Sequence, residues 1–319
     1  MDATMNDIII KLYTYKNSNE KLISYSKSKL KEKFYKKIDF SKCQFCDIEN
    51  DKNINISRST ERDVCVMTNI GKSAEPYSAI SLRSVGFKGK IFIFSDKTIS
   101  SKFEKCGIEW IPTTLFSNIG YEVMYSRFFI IKEFIELFYE DIDRILYFDW
   151  GDTHFQSDPF TFDDKSLHVS DERIKFGNEM INDLWISKIN FMKTEYFENK
   201  NIICAGLFLG DKDSVYKAVS VLFSAWIYNE KQLNDQIIYN VFVYSHIPKE
   251  IDINVVVDPN LASVGAVIFN EANIWRIDKL GSFSDLVTGF KPAVIHQYNR
   301  NTELTKMFSS QCHYQIKRH

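Results

Sequence analysis

From Asp63 onward the apolar residues fall into short blocks separated by polar gaps, and the blocks alternate between strand-like and helix-like spacing. "DVCVMTNI", "GKIFIFSD" and "IEWIP" are compact apolar runs of strand length. Between the first two, "SAEPYSAISLRSVGF" carries helical spacing, with Pro76 suited to a first turn. "TISSKFEKCG" predicts a helix between the second and third. "YSRFFIIKEFIELFYEDID" is a strongly amphipathic helix, with Phe128, Ile131, Phe134, Ile135 and Phe138 on one face. "RILYFDWGD" then predicts a strand that runs straight into acid. Further on, "NIICAGLFLGD" reads as a strand whose Gly206 and Gly210 permit close backbone approach. "SVYKAVSVLFSAWIYN" reads as a helix, "QLNDQIIYNVFVY" follows it, and "FKPAVIHQYNR" is a short apolar strand that stops at His296.

Strands alternating with helices at this rhythm predict an α/β fold built on a mainly parallel, doubly wound sheet. Such sheets bind ligands outside the carboxyl ends of their strands. Asn69, Asp96 and Asp149 all fall at such ends. Residues 1–58 differ: "KNSNEKLISYSKSKLKEKFYKKIDF" is polar and Lys-rich, and an Asn/Asp-rich stretch follows it. This predicts a helical N-terminal extension joined near residues 50–60 to a main domain over 59–319. No internal repeat is visible.

Composition narrows the class. With 45% hydrophobic and 15% aromatic residues in 319 positions, the chain can bury a real core. A formal net charge of -2 gives no electrostatic case for nucleic acid or an acidic membrane surface. The longest apolar runs are too short, or too interrupted by charge, to span a bilayer. The N-terminus lacks the basic start and long apolar core of a secretory signal. Six cysteines are scattered, Cys65 and Cys204 inside apolar strand-like runs, so the chain reads as cytoplasmic and reduced, with peripheral attachment at an inner membrane face left open. Cys43-Gln-Phe-Cys46 is the only close pair, and without a second Cys or His pair nearby it is a weak zinc signal.

The candidate chemistry sits in "ILYFDWGDTHFQSDPF", where Asp149 and Asp152 leave the end of a strand together. Hard carboxylate oxygens on a turn suit Mg²⁺ or Mn²⁺, which is usually held by one or two carboxylates plus substrate phosphates. A strand-ending Asp and a helix-capping Asp explain the same residues. His154, by alternation after the strand, is expected to face solvent. A haloacid-dehalogenase-like phosphatase also places an Asp pair after an apolar strand, but there the second acid comes two positions later and the motif sits on the first strand. Here the second acid comes three positions later, in mid-chain.

"DRILYFDWGDTHFQSDPF" resembles the metal-binding segment of the GT-A nucleotide-sugar glycosyltransferases, in the branch whose acidic motif reads D-x-x-D rather than D-x-D. "SAISLRSVGFKGKIFIFSD", "NIICAGLFLGDKDSVYKAV", "NDQIIYN" and "AVIHQYNR" are similar to other segments of that family, in the same order, over roughly residues 60–300. Asn299 departs from the Asp often found in the last element, and residues 1–58 lie outside the likeness. The resemblance implies a GT-A fold, with a nucleotide-binding half about 60–160 and an acceptor half about 161–300. It implies a hexosyltransferase that moves a sugar from a UDP-linked donor to a hydroxyl of a glycan, lipid-linked or protein acceptor, with Mn²⁺ or Mg²⁺. Asp149, Asp152 and His296 would hold the ion, Asp149 also lying near the ribose. Arg127 would face the sugar nucleotide. Thr68, Asn69 and Asp96 would contact the nucleoside, although turn capping explains them nearly as well. Asp235 and Gln236 would form the acceptor-side pair, Asp235 as general base or sugar-orienting group. Gly206 would admit the sugar, and Arg300 would reach a phosphate. Trp185 is either an acceptor platform or a buried core residue. A non-catalytic nucleotide-binding module of the same fold is the remaining alternative.

Overall fold

The computed structural model describes residues 23–38, 43, 45–46, 58–71, 77–115, 120–178, 194–228, 234–258, 261–263, 275–278, 282–286 and 289–312. Pro76, Trp185 and the Asn/Asp-rich stretch before Arg58 lie outside them. An eight-stranded mixed sheet forms the centre, in the order β1-β4-β3-β2-β5-β8-β7-β9. Its strands are β1 (Ile23–Tyr25), β2 (Val64–Asn69), β3 (Lys90–Ser95), β4 (Ile108–Leu115), β5 (Arg144–Phe148), β7 (Ser166–Lys175), β8 (Asn201–Asp211) and β9 (Asn254–Val257). Strands β4, β3, β2 and β5 run parallel, as expected, and β7 pairs with β9 in the same sense. Strand β8 runs antiparallel to both of its neighbours. The second half of the sheet is therefore mixed, and β7 emerges from a segment that carries charge along half its length.

The central strands read as continuous apolar runs because both of their faces are buried. Val64, Val66, Phe92, Phe94, Ile145 and Tyr147 point into one core, while Cys65, Met67, Ile91, Ile93, Leu146 and Phe148 point into the other. On the first side lie α3 (Gly120–Phe138), α4 (Lys212–Tyr228) and α5 (Asp235–Tyr244). The Phe128–Phe138 face of α3 is wholly buried there. On the second side, α2 (Tyr77–Ser84) packs against β6 (Thr153–Phe155). β6 belongs to a small three-stranded sheet with β10 (Ala262–Ser263) and β13 (Val294–His296). A two-stranded ribbon, β11 (Trp275–Ile277) with β12 (Phe283–Asp285), packs on the small sheet through Phe283 and Ile295. After the short helix α6 (Ile247–Glu250), the chain's last described helix is α7 (Thr302–Gln311). "TISSKFEKCG" forms a 3₁₀ turn, Ser101–Cys106, closed by left-handed Gly107, rather than an α-helix.

The N-terminal segment is part of this body. α1 (Lys27–Tyr35) is helical as expected, but β1 adds an antiparallel edge strand to β4. Phe34 stacks on Phe138 with ring centroids 3.8 Å apart, and Lys33 bridges Glu104 and buried Glu109. The cysteine reading also needs correction. Cys43 is disulfide-bonded to Cys106 and Cys46 to Cys312, so the CxxC pair is neither a metal clip nor two ordinary thiols. Bonds of this kind persist in oxidising surroundings, against the expectation of a reduced chain. Cys65 and Cys204 are free and buried, as expected. Among the described residues, no helix is long and apolar enough to cross a membrane.

Candidate functional site

The site forms where β5 ends. Trp150 is buried in the second core and Gly151 takes φ +89°, a left-handed turn that a residue with a Cβ adopts only under strain. That turn lets the chain double back from Asp149 into β6. The β6–β13 ladder then sets His296 opposite Thr153, and the backbone N–H groups of Gln297 and Tyr298 donate to the Asp152 carbonyl at 2.7 and 3.3 Å. The Trp-Gly spacer and the C-terminal strand are thus one device: together they put His296 beside Asp152.

Strand β8 supplies the floor. Its register against β7 slips, with Val169 opposite Phe208 but Asp171 opposite Ile203, so residues 204–207 bulge against Ser170. Bulges of this kind re-aim side chains beside functional sites. Here Ala205 turns a carbonyl to Arg127 Nη1 at 3.1 Å, and Gly206 offers its carbonyl to the Asp149 N–H at 2.8 Å. Cys204 Sγ comes within 3.3 Å of His296 Nδ1. A Cβ on Gly206 would lie 2.6 Å from His296 Cε1 and 2.7 Å from Asp149 Oδ2. Only glycine fits there, since real Cβ contacts are not that short.

These residues open onto a cleft of about 420 Å³ lined by Arg127, Asp149, Cys204, Gly206, Asp235 and His296, among others. Arg127 is buried. Its Nη1 pairs with Asp149 Oδ1 at 2.9 Å and its Nη2 with Asp235 Oδ2 at 3.2 Å. Its Nε donates to the Met124 carbonyl at 2.7 Å, and its plane lies over the Tyr147 ring. Burial opposes the guanidinium charge, but Asp149, Tyr147 and Asp235 outweigh it, so Arg127 stays charged. Tyr147 also donates to Asp149 Oδ1 at 2.7 Å and interacts with the Thr68 hydroxyl. Burial raises the Asp235 carboxyl despite Arg127 alongside. Asp235 opens α5, but the cap is Asn234, whose side chain accepts the Gln236 N–H at 2.8 Å. Gln236 lines the cleft and donates to Glu172 Oε1 at 3.2 Å.

Asp152 sits behind His296 rather than on the cleft wall. Its Oδ1 is 3.4 Å from His296 Nε2, and among the described residues neither atom has a hydrogen-bond partner. With the ring protonated the two atoms form a buried ion pair that lacks a hydrogen bond, an uncommon state for buried polar atoms. Burial would lower the His296 pKa, but Cys204 and Asp152 outweigh it and hold the ring well above the ordinary imidazole range. Burial raises the Cys204 thiol, keeping it protonated. Among the described residues, no three His, Cys, Asp or Glu groups converge at metal-holding spacing. The donor types are nonetheless those a hard divalent ion takes: carboxylates on Asp149 and Asp152 and an imidazole on His296, with Asp152 Oδ1 and His296 Nε2 facing each other without a hydrogen bond.

Other expected residues stay apart from the cleft. Asn69 is buried and donates from Nδ2 to Ser95 Oγ at 3.3 Å, while exposed Asp96 accepts the Gly71 N–H with both oxygens. Both do turn-closing work at the ends of β2 and β3. Arg300 is exposed on a 3₁₀ turn and does not line the cleft. His154 is not in solvent: it is buried and stacks on Phe308 at 4.0 Å, because α7 covers the outer face of β6. Burial alone depresses it to about 3. Cys204, Tyr147 and Glu172 were missed by sequence reasoning. Cys204 and Tyr147 look like ordinary core residues in an apolar strand, and Glu172 lies in a strand without a period. No family model matches the chain, and no curated protein matches it.

Proposed function

We propose that this chain is a metal-dependent glycosyltransferase, moving a sugar from a nucleotide diphosphate sugar, with uridine as its base, to a hydroxyl of a glycan or other acceptor. The observation that carries the reading is the orphaned pair Asp152 Oδ1 and His296 Nε2, set beside Asp149 where Gly206 leaves room for no side chain. Asp149, Asp152 and His296 would hold Mn²⁺ or Mg²⁺, which when bound neutralises charge on a departing nucleoside diphosphate as a Lewis acid. Three carboxylates face the Arg127 guanidinium and the His296 ring, and a divalent ion that takes the place of the His296 Nε2 proton keeps the cluster close to neutral. Four of the five Arg127 N–H donors go to Asp149, Asp235 and two carbonyls, which leaves one on Nη2 at the cleft. Arg127 fixes the two acids relative to each other. Asp235 then stands as the carboxylate that orients the sugar or takes a proton from the acceptor hydroxyl.

A phosphatase reading would make Asp149 a nucleophile. Its Oδ1 already accepts from Arg127 and Tyr147, which stabilises the carboxylate and blunts attack. The test is a thermal-shift screen of nucleotide diphosphate sugars with and without Mn²⁺, followed by donor turnover. A ligand that binds only the native state raises the melting temperature. The expected result is a rise that needs both sugar nucleotide and cation, with turnover lowered by about 10²–10³ in Asp152→Asn while the fold is kept. Full turnover in EDTA or in Asp152→Asn would sink the reading. Hydrolysis of a generic phosphomonoester would favour the phosphatase, and nucleotide binding without turnover the non-catalytic module.

A further inference from the structure

His296 is gripped along two edges. Nε2 faces Asp152 Oδ1, and Nδ1 on the opposite edge faces Cys204 Sγ at 3.3 Å. The same sulfur accepts the Gly206 N–H at 3.4 Å, so it already serves as an acceptor within the bulge of β8. A neutral imidazole has one N–H, and the partner of one nitrogen decides which state the other takes. Metal-binding histidines usually give the N–H of the second nitrogen to an oxygen acceptor. Here a thiol occupies that place. Cys204 is 1% exposed, which suits a fixed bracket and not an attacking group.

We propose that Cys204 is a positioning residue: its sulfur accepts the Nδ1–H of His296, leaving Nε2 bare and aimed at the position a divalent cation takes beside Asp152. The inference rests on the cation reading above. It explains why a residue with the size of a small hydrophobe stands at a strand position that borders the cleft. A plain apolar residue would leave Nδ1–H buried without a partner, and the ring would favour the state that turns Nε2–H toward Asp152. That state closes Nε2 to a cation.

The experiment compares the full wild-type chain with Cys204→Ser and Cys204→Ala. Free Mn²⁺ is followed by electron paramagnetic resonance during titration, and each cation-free protein is melted. The expected result is a loss of Mn²⁺ affinity of about 10–100-fold in Cys204→Ala, the effect typical of removing such a partner. Cys204→Ser, which keeps an acceptor, recovers most of it. A merely structural role would lower the melting temperature and leave affinity per folded molecule unchanged, and that outcome overturns the inference. If the wild type binds no Mn²⁺, the cation reading fails, and the ¹⁵N spectrum of the histidine rings decides for Cys204. With the His296 signals assigned by their loss in His296→Gln and the pH raised until the ring carries a single proton, a protonated Nδ1 that shifts to Nε2–H in Cys204→Ala supports the bracket. A wild-type ring carrying its only proton on Nε2 overturns it.

Discussion

The two ends of β5 carry the same residue types and come to opposite states. At the amino end Arg144 grips Asp63 with two bonds, Nε to Oδ1 at 2.8 Å and Nη2 to Oδ2 at 2.7 Å. It gives its other donors to the carbonyls of Phe162 and Arg58, and lies over the Phe160 ring. One half-buried base meets one buried acid, with exposed Asp163 3.8 Å from Arg144 Nη1, and Asp63 spends its remaining capacity on the Thr60 N–H. At the carboxyl end Arg127 is divided between two acids, a third acid faces a histidine, and two buried atoms are left over. An arginine bound to a buried aspartate does not by itself mark a site. The residue of unmet bonding does. The amino end is a closed joint, and the carboxyl end has room in its bonding for a guest.

Three substitutions would break or sharpen that contrast. The largest effect on stability belongs to the closed joint: Asp63→Asn removes the charged acceptor of half-buried Arg144 and costs about 3 kcal/mol of stability. Chemical denaturation should register it, while Mn²⁺ affinity per folded molecule stays at the wild-type value. A loss of affinity would mean that the two ends are coupled. At the open end Gly206→Ala should do the reverse. Overpacking costs about 1–3 kcal/mol, but the new methyl displaces His296 and Asp149, so binding of the proposed sugar nucleotide and cation is expected to be lost well below the melting temperature. Calorimetric titration at low temperature checks this. The effect that is smallest at neutral pH concerns His154. Its native pKa near 3 lies below the ordinary 6.5, so between those values the unfolded chain holds one more proton than the native one. Stability therefore falls on acidification through that window, by about 1.4 kcal/mol per pH unit, and the effect is absent at pH 7. His154→Phe, which keeps the stack on Phe308, should flatten the acid limb of a stability–pH curve and change nothing at neutrality. An unchanged acid limb would show that His154 is not the group responsible.

The parallel half of the sheet was legible because each strand there is a dense apolar run, and density survives any choice of neighbour. Strand β7 was not, since "SLHVSDERIK" carries charge along half its length and gains its place only by pairing with β8 and β9. Asp149, Asp152, His296, Arg127, Gly206, Asp235 and Gln236 could all be nominated from local pattern and resemblance, and the fold brings them into one neighbourhood. Asn69, Asp96 and Arg300 could be nominated on the same grounds, yet they do local work or face solvent. Strand ends look alike in sequence whether or not a cleft lies beyond them. His154 failed for a tertiary reason. Alternation predicts which face of β6 a residue occupies, but not that α7, nearly 150 residues later, will cover that face. Cys204 is the subtlest case: its identity as a buried thiol was readable, while its partner sits on a strand 92 residues away.

The Cys46–Cys312 bond joins two residues 266 positions apart. Everything between them, including all of the sheet except β1, is therefore a closed covalent ring. Tension applied across the chain from upstream of Cys46 to downstream of Cys312 would pass through one sulfur bridge and leave β2 to β13 unloaded. In mechanical terms the candidate site is carried inside a loop that a pulling force cannot open.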